Sequence, residues 1–264
     1  MPAKLFGIWL LWAVLCFPAV AGAWVKEPGA AEIITSLALN GGSRAYDDNG
    51  DPSKIVDFYK LESAVYGEYG LMPNWSIVGR FAYQDVRLQQ NNSIDAKTGF
   101  GASQIAIKRK LADYQAWVFS AQAGLSIPGS TENGLDLRLG EGSVEWEVRA
   151  LAGRSFSVAK RPGFFDVQLS RQFRSALTPD EWRFDLTAGI YPAKKLLLMG
   201  QVFTLRGDEA KLPGARTLRS IKAQGSMVWQ YRETAGVQLY VSQPVSGRNV
   251  VADSSIGIGW WRRF

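Results

Sequence analysis

The stretch that decides the fold is Ser-Val-Glu-Trp-Glu-Val-Arg-Ala-Leu-Ala, residues 143–152, in which apolar and polar side chains alternate. Val144, Trp146, Val148, Ala150 and Ala152 share even numbers, whereas the charged residues Glu145, Glu147 and Arg149 share odd numbers. Successive side chains of a β-strand point to opposite faces, so this pattern predicts a strand with one apolar face and one polar face. The same alternation recurs in residues 165–174 and 182–190.

Similar runs extend along the chain from Ala31 to its last residue. They predict twelve strands, with ten and fourteen as the alternatives: 31–39, 57–69, 75–85, 98–110, 115–127, 143–153, 163–174, 182–191, 196–206, 219–231, 235–245 and 253–264. Strand 196–206 alternates poorly, and Pro244 weakens the end of strand 235–245 because proline cannot donate a ladder hydrogen bond. The fold class is therefore all-β.

The lengths of the predicted connections also alternate. Long connections fall at 40–56, 86–97, 128–142 and 207–218, with shorter ones at 175–181 and 246–252, and tight connections fall between them at 70–74, 111–114, 192–195 and 232–234. The connection at 154–162 is the exception, since it is longer than a tight turn. Short turns at one end and long loops at the other are typical of a transmembrane antiparallel β-barrel, with both termini in the periplasm.

A sheet crosses a bilayer only when it closes on itself, because every backbone polar group in the hydrocarbon must be paired. The apolar faces then point to lipid and the polar faces point to a shared lumen. By parity, the predicted lumen-lining residues are Lys60, Glu62, Arg80, Glu145, Glu147, Arg149, Asp166, Arg174, Arg183, Asp185 and Lys222. These charges either line an open path or pair with one another across the interior and close it.

The last predicted strand ends in an alternating row, Ile256, Ile258, Trp260 and the terminal Phe264. This row resembles the C-terminal signature by which bacterial outer-membrane proteins are recognised for barrel assembly. It predicts the barrel-assembly machinery as a partner. Arg262 departs from the signature, because an apolar residue is usual at its position.

The first residues have the pattern of a secretory signal peptide, namely Lys4, an apolar run from Leu5 to Phe17, and the small-residue site Ala21-Gly22-Ala23. We expect cleavage after Ala23, which divides the chain into a signal peptide, 1–23, and an outer-membrane β-barrel, 24–264. Removing Lys4 from the 30 basic and 24 acidic residues leaves a net charge of +5. An exported β-barrel predicts location in the cell outer membrane and contacts with its lipid and lipopolysaccharide. Export together with a charge that is only mildly basic predicts no nucleic-acid partner.

Two absences from the sequence bear on chemistry. The chain has no histidine, the general base on which catalytic barrels of the outer membrane rely, so we expect no enzymatic activity. Its single cysteine, Cys16, lies in the predicted signal peptide, and the acidic stretch from Asp47 to Asp51 lacks the glutamate that completes a calcium loop. No metal site and no cofactor are predicted.

Three stretches carry a family resemblance: Trp24 to Gly29, the run Arg-Ala-Tyr-Asp-Asp-Asn-Gly at residues 44–50, and Glu-Tyr-Gly-Leu at residues 68–71. They resemble the opening of the proteobacterial outer-membrane proteins grouped as the MetA-pathway of phenol degradation family, and the similar XagA-like proteins. The resemblance implies a barrel that transports small, often aromatic, compounds.

The sequence therefore predicts a passive channel for small solutes, among which aromatic or hydrophobic compounds are candidates. The alternative is a plugged, non-transporting barrel that displays its loops for adhesion, envelope integrity or exopolysaccharide handling. A soluble periplasmic β-protein is the third class, and it requires the apolar faces to be buried between two sheets.

Overall fold

The computed structural model describes residues 22–90, 93–130, 144–174, 179–209 and 217–264, and every regular element in these ranges is a β-strand. Among these residues no helix is long and apolar enough to cross a membrane. The strand bounds are β1 Ala31–Ala45, β2 Lys54–Met72, β3 Trp75–Gln90, β4 Ser93–Phe100, β5 Ser103–Tyr114, β6 Trp117–Ile127, β7 Glu145–Val158, β8 Arg161–Phe173, β9 Glu181–Ala193, β10 Leu196–Gly207, β11 Arg219–Arg232, β12 Ala235–Arg248 and β13 Ser254–Arg263.

The thirteen strands build a ring of twelve positions. β4 and β5 are two segments of one barrel strand, interrupted at residues 101–102, and both pair with β3. Each other strand pairs with its neighbours in the chain, β13 pairs with β1, and β2 pairs with β3, all antiparallel. This closed arrangement confirms the predicted twelve-stranded barrel, and closure leaves no sheet edge unpaired in the hydrocarbon.

The two ends of the barrel differ in their connections. At one end, here called the short-turn end, two-residue turns at 73–74, 115–116, 159–160, 194–195 and 233–234 join the strands. The barrel also begins and finishes there, where the amide of Phe264 donates to the carbonyl of Ala31 at 2.9 Å. The opposite end carries the longer connections, apart from the short one between β3 and β4, and is here called the long-loop end.

The predicted long connection at 154–162 is wrong. β7 continues to Val158 and β8 begins at Arg161, so only Ala159 and Lys160 form the turn, with φ of 50° and 61°. Positive φ at both central residues is the conformation of a type I′ hairpin turn, which matches the twist of the flanking strands. Neither residue is glycine or asparagine, so no residue type typical of such a turn marks its position.

The predicted long connection at 86–97 is also wrong, because β3 runs to Gln90 and β4 begins at Ser93 to form an extended hairpin. β1 and β2 are likewise longer than predicted. An apolar cluster inside the long-loop end holds these extensions together; it consists of Ala45, Val56, Phe58, Val86, Leu88 and Val251. Packing between strands, which local alternation does not reveal, therefore sets these bounds.

Burial follows residue parity around the ring. In β7 the side chain of Trp146 is 63% exposed on the outer wall, whereas Glu145 beside it is 4% exposed. Phe184 of β9 is also outward and 41% exposed. The apolar faces are thus on the outside of the ring, where lipid lies, and are not buried between two sheets.

Pro244 does not end β12. The register between β11 and β12 shifts so that Ile221 is opposite Ser246 and Lys222 is opposite Pro244. This bulge leaves an unpaired residue in β12, and bulges are among the few places in a sheet that tolerate proline. The strand therefore continues to Arg248.

Candidate functional site: the barrel interior

The inner wall of the ring is strongly charged. All eleven charged residues that parity assigned to the polar face lie on it: Lys60, Glu62, Arg80, Glu145, Glu147, Arg149, Asp166, Arg174, Arg183, Asp185 and Lys222. They are buried or half-buried in the structure. The structure groups most of them into ion-paired clusters.

One cluster joins β2 and β3. The Lys60 Nζ atom lies 3.1 Å from the Glu62 carboxylate, and the Arg80 guanidinium donates to the other oxygen of the same carboxylate. The Glu62 carboxylate therefore forms ion pairs with two basic side chains, one on its own strand and one on the next strand.

A second cluster centres on Arg149 of β7. Its guanidinium bonds Glu147 at 3.0 Å on the same strand, Gln168 Oε1 at 2.6 Å on β8, and Asp185 at 3.2 Å on β9. The five N–H groups of an arginine can satisfy several acceptors at once, so this one side chain ties three strands together.

A third cluster lies at the long-loop end, where Arg174 contacts Glu145 at 3.4 Å and Glu181 at 2.7 Å. Arg183 bonds Glu181 from the neighbouring position on β9, at 3.3 Å. On the other side of the ring Lys222 donates to both oxygens of Asp253 at 2.7 Å.

These ion pairs join residues of the same strand or of strands no more than two positions apart. They run along the wall and do not bridge the diameter of the ring. A cavity of about 90 Å³ in the middle of the interior is lined by side chains from opposite walls, including Tyr66, Arg149 and Phe203. Since a cavity needs only about 10–15 Å³ of this volume to hold one water, the space admits several water molecules.

Residues 22–30, here called the N-terminal segment, enter the barrel from the short-turn end. The amide of Ala23 donates to Asp166 Oδ2 at 2.8 Å, and Ser120 Oγ donates to the Ala23 carbonyl. The Lys26 amide donates to Ser76 Oγ at 3.0 Å. Because these partners belong to β8, β6 and β3, the segment is held against half of the inner wall.

Lys108 anchors the segment more deeply. Its Nζ atom donates to the Trp24 carbonyl at 2.9 Å and forms an ion pair with Glu68 at 2.8 Å, with both side chains 0% exposed. An ammonium group removed from water in this way needs both its countercharge and its hydrogen-bond acceptors. The N-terminal segment thus supplies, through the Trp24 carbonyl, a hydrogen-bond acceptor for the buried Lys108 ammonium group.

The Trp24 ring fixes the position of the segment within the lumen. It meets Phe164 edge to face, with 6.0 Å between ring centroids, and lies against Gly153. A β-carbon at position 153 would stand 2.7 Å from the Trp24 ring, so only glycine gives the ring this place.

The wall opposite the N-terminal segment is apolar. Leu197 and Met199 of β10 are 2% and 5% exposed on the inner face, and they form the apolar strip together with Ile34, Val228 and Trp261. Trp261 is satisfied within the strip by Gln238, whose Oε1 accepts from its Nε1 at 3.0 Å. Strand 196–206 alternates poorly because both of its faces are apolar.

A chamber of about 390 Å³ separates the N-terminal segment from the apolar strip. Aromatic and apolar side chains line most of it: Trp24, Phe164, Tyr191, Leu197, Met199 and Trp261. Lys26, Glu32, Asp166 and Arg263 add charged groups at its margin. A chamber with an apolar body and a few polar groups suits a small organic molecule.

Several interior residues were missed at the level of sequence. Glu68, Lys108 and Glu181 have the inward parity and could have been found by extending the same rule. The N-terminal segment could not, because the contact between Ala23 and Asp166 joins residues 143 positions apart. In the described ranges no three acidic, histidine or cysteine side chains converge as metal ligands would.

The predicted assembly row lies on the outer wall of β13. Ile256, Trp260 and Phe264 are 60%, 45% and 66% exposed, and Ile258 shares their face. The Arg262 guanidinium lies 5.7 Å from the Phe264 ring centroid, a cation–π distance that places this unusual residue beside the terminal aromatic ring.

No family model and no curated protein matches the chain. Among solved structures, the COG4313 outer membrane channel from Pseudomonas putida F1 superposes with a TM-score of 0.72 at 13% identity, covering 93% of this chain and 99% of that one. The KdgM porin in complex with disordered oligogalacturonate gives 0.52 at 7% identity, with 88% and 99% covered. The translocator domain of the autotransporter NalP from Neisseria meningitidis gives 0.55 at 12% identity, with 91% and 90% covered. The fold of this chain is that of an outer-membrane β-barrel.

Proposed function

We propose that this protein is a passive channel of the cell outer membrane, with its short-turn end in the periplasm. The closed ring, its apolar outer wall and its charged inner wall support this proposal. The row ending in Phe264 supports recognition by the barrel-assembly machinery. No reaction is proposed, since the chain lacks histidine and most of the described interior carboxylates are engaged in ion pairs, as Glu62 and Glu181 are.

We further propose that the channel takes small hydrophobic, including aromatic, solutes. The observation that carries this step is the chamber, in which the rings of Trp24, Phe164 and Trp261 and the side chains of Leu197 and Met199 surround one space. A charged wall alone would favour hydrophilic solutes, whereas this chamber favours a flat apolar molecule. The resemblance to the MetA-pathway of phenol degradation family supports the same solute class.

Liposome swelling tests the solute class. The purified barrel is reconstituted, and the rates are compared for an aromatic carboxylate and an aliphatic carboxylate of similar size. Leu197→Gln places an amide in the chamber, so we expect it to slow the aromatic solute selectively, by about tenfold for each 1.4 kcal/mol of lost interaction. Leu198→Gln is the matched control, because Leu198 is the next residue along β10 and faces outward. Equal effects of both variants on both solutes would contradict the assignment.

The second candidate function is the plugged surface barrel, and the N-terminal segment is the observation that favours it. Single-channel recordings separate the two. A channel gives steady conductance that Arg80→Glu or Arg183→Glu alters, since both side chains lie on the inner wall. A silent bilayer, with correctly folded protein shown by heat-modifiable gel mobility, would support the surface role.

We also propose that the signal peptide is removed after Ala23. The new α-ammonium group of Trp24 would then lie beside Asp166 and Ser120, the two side chains that contact the backbone of Ala23. Mass spectrometry of the protein extracted from outer membranes is expected to give a chain that begins at Trp24. A chain that retains residues 1–21 would contradict the proposal.

A further inference from the structure

The outer wall carries a row of arginines at the long-loop end. In the register of the sheet, Arg219 of β11 lies directly opposite Arg206 of β10 on one side and Arg248 of β12 on the other. All three side chains are exposed and point outward. We name Arg206, Arg219 and Arg248 the arginine row.

Like charges directly opposite on neighbouring strands oppose sheet formation, because their β-carbons are only about 4.5–5.5 Å apart. Within the described residues, none of these three guanidinium groups forms an ion pair or hydrogen bond with another side chain. A local arrangement that costs stability without internal compensation is expected where an external ligand supplies the missing countercharge.

On the β9 side, the positions next to the arginine row carry a tryptophan and then an ion-paired arginine. Trp182 of β9 is opposite Arg206, and Arg171 of β8 is opposite Trp182. The Arg171 guanidinium lies 5.0 Å from the Trp182 ring centroid and pairs with Asp180 and Asp208. Arg171 thus has two carboxylate partners, in contrast to the three members of the arginine row.

The height of the row on the barrel identifies the ligand. On the side of the row toward the middle of the barrel, the outward positions carry apolar side chains, such as Phe184, Ile221 and Val245, as expected for contact with acyl chains. On the other side the connections between strands begin. The row is therefore at the boundary between hydrocarbon and water, where the headgroups of the surrounding lipid lie.

We propose that the arginine row binds the phosphate groups of lipid A, the anionic anchor of lipopolysaccharide, in the leaflet around the long-loop end. Arginine suits this role because its planar fork of N–H donors matches phosphate oxygens. The proposal rests on the outer-membrane location and orientation proposed above, but not on whether the barrel conducts solutes. A silent barrel would leave it intact.

Binding of fluorescent lipid A to the purified barrel in detergent tests the proposal. The triple variant Arg206→Gln/Arg219→Gln/Arg248→Gln removes the row, and we expect it to weaken binding at least about tenfold. The matched control Arg109→Gln/Arg154→Gln/Arg262→Gln removes the same charge from the outer wall at the short-turn end. Each of these arginines lies over an aromatic ring, at 4.9 Å, 5.4 Å and 5.7 Å.

The control variant is expected to bind lipid A within about twofold of the unmodified barrel. Equal losses in both triple variants would overturn the proposal in favour of general charge attraction, and no loss in the row variant would overturn it outright. Removing like charges should not impair folding, which heat-modifiable mobility verifies. Dephosphorylated lipid A should bind the unmodified barrel as weakly as lipid A binds the row variant. Full displacement of lipid A by inorganic phosphate would show an ion site and contradict a lipid site.

Discussion

The two halves of the inner wall differ in how their buried side chains are stabilised. From β2 to β9 the wall is polar, and most of its buried charges are held by a countercharge on the same or a nearby strand, as Glu62 is by Lys60 and Arg80. From β10 through β13 to β1 the wall contains the apolar strip, where Met199 and Trp261 need no ionic partner. The N-terminal segment docks mainly on the polar half, although Lys26 also forms an ion pair with Glu32 of β1.

This difference explains why the N-terminal segment binds one part of the inner wall and leaves another part uncovered. Backbone amides and carbonyls of the N-terminal segment need hydrogen-bond partners, and the polar half supplies them through Ser76, Lys108, Ser120 and Asp166. The apolar strip offers no such partners, so the segment leaves it uncovered and the chamber remains. A solute without strong hydrogen-bonding groups is then expected on the strip side.

Breaking the polar half at its most buried ion pair should give the largest effect. Lys108→Met leaves the Glu68 carboxylate buried without its countercharge, and removing one partner of such a pair typically costs about 3–5 kcal/mol. We expect the temperature at which the heat-modifiable band is lost to fall clearly. The double variant Lys108→Met/Glu68→Gln, which removes both charges, should recover most of the loss. A single variant as stable as the unmodified barrel would contradict the role assigned to this pair.

A smaller loss of stability is expected at the uncharged contact between the N-terminal segment and the wall. Gly153→Ala places a methyl group where the Trp24 ring now lies, and overpacking of this kind costs about 1–3 kcal/mol. The ring should be displaced, and single-channel conductance should change. Gly200→Ala is the matched control, since a β-carbon at position 200 meets no atom within 4 Å. Similar conductance in both variants would show that Trp24 does not restrict the path.

The smallest effect lies outside the ring, in the connection between β1 and β2. Hydrogen bonds from Ser53 Oγ and from the amides of Asp51 and Asn49 hold the pKa of the exposed Asp47 carboxyl below its usual value. A depressed pKa means that this carboxylate stabilises the folded loop above its ordinary pKa, and that the contribution is lost as the pH falls through the depressed value. The protection factors for amide hydrogen exchange at residues 49, 51 and 53, which compare observed rates with intrinsic rates at the same pH, should fall at acid pH, and Asp47→Asn should reduce this pH dependence. Protection that is as high at low pH as at neutral pH would contradict it.

Alternation was sufficient to predict the all-β fold, the number of strands and their antiparallel order. The reason is that lipid imposes a period of two on every strand of a membrane barrel, so each strand reports its own orientation. The predictions were wrong where turn conformation or packing between strands, and not alternation, determines the structure. The turn at Ala159 and Lys160 adopts positive φ without the usual residues, and the hairpin after Val86 is held by the apolar cluster inside the long-loop end.

The N-terminal segment and the apolar strip could not be predicted for a related reason. The segment has no regular structure of its own, and its position depends on partners such as Asp166 that are distant in the chain. β10 is apolar on both faces, so the parity rule that identifies a polar lumen fails there. Which wall the segment would occupy, and which would remain free, follows only from the closed ring.

The central claim is that solutes pass along the apolar strip, inside the ring. Because Cys16 is the only cysteine and lies in the predicted signal peptide, a single introduced cysteine can report on one position. We expect a small, water-soluble thiol reagent to change the conductance of Met199→Cys, whose side chain lines the chamber. It should leave Gly200→Cys, the next residue on the outer wall, unchanged. A change at position 200 and none at position 199 would contradict the account.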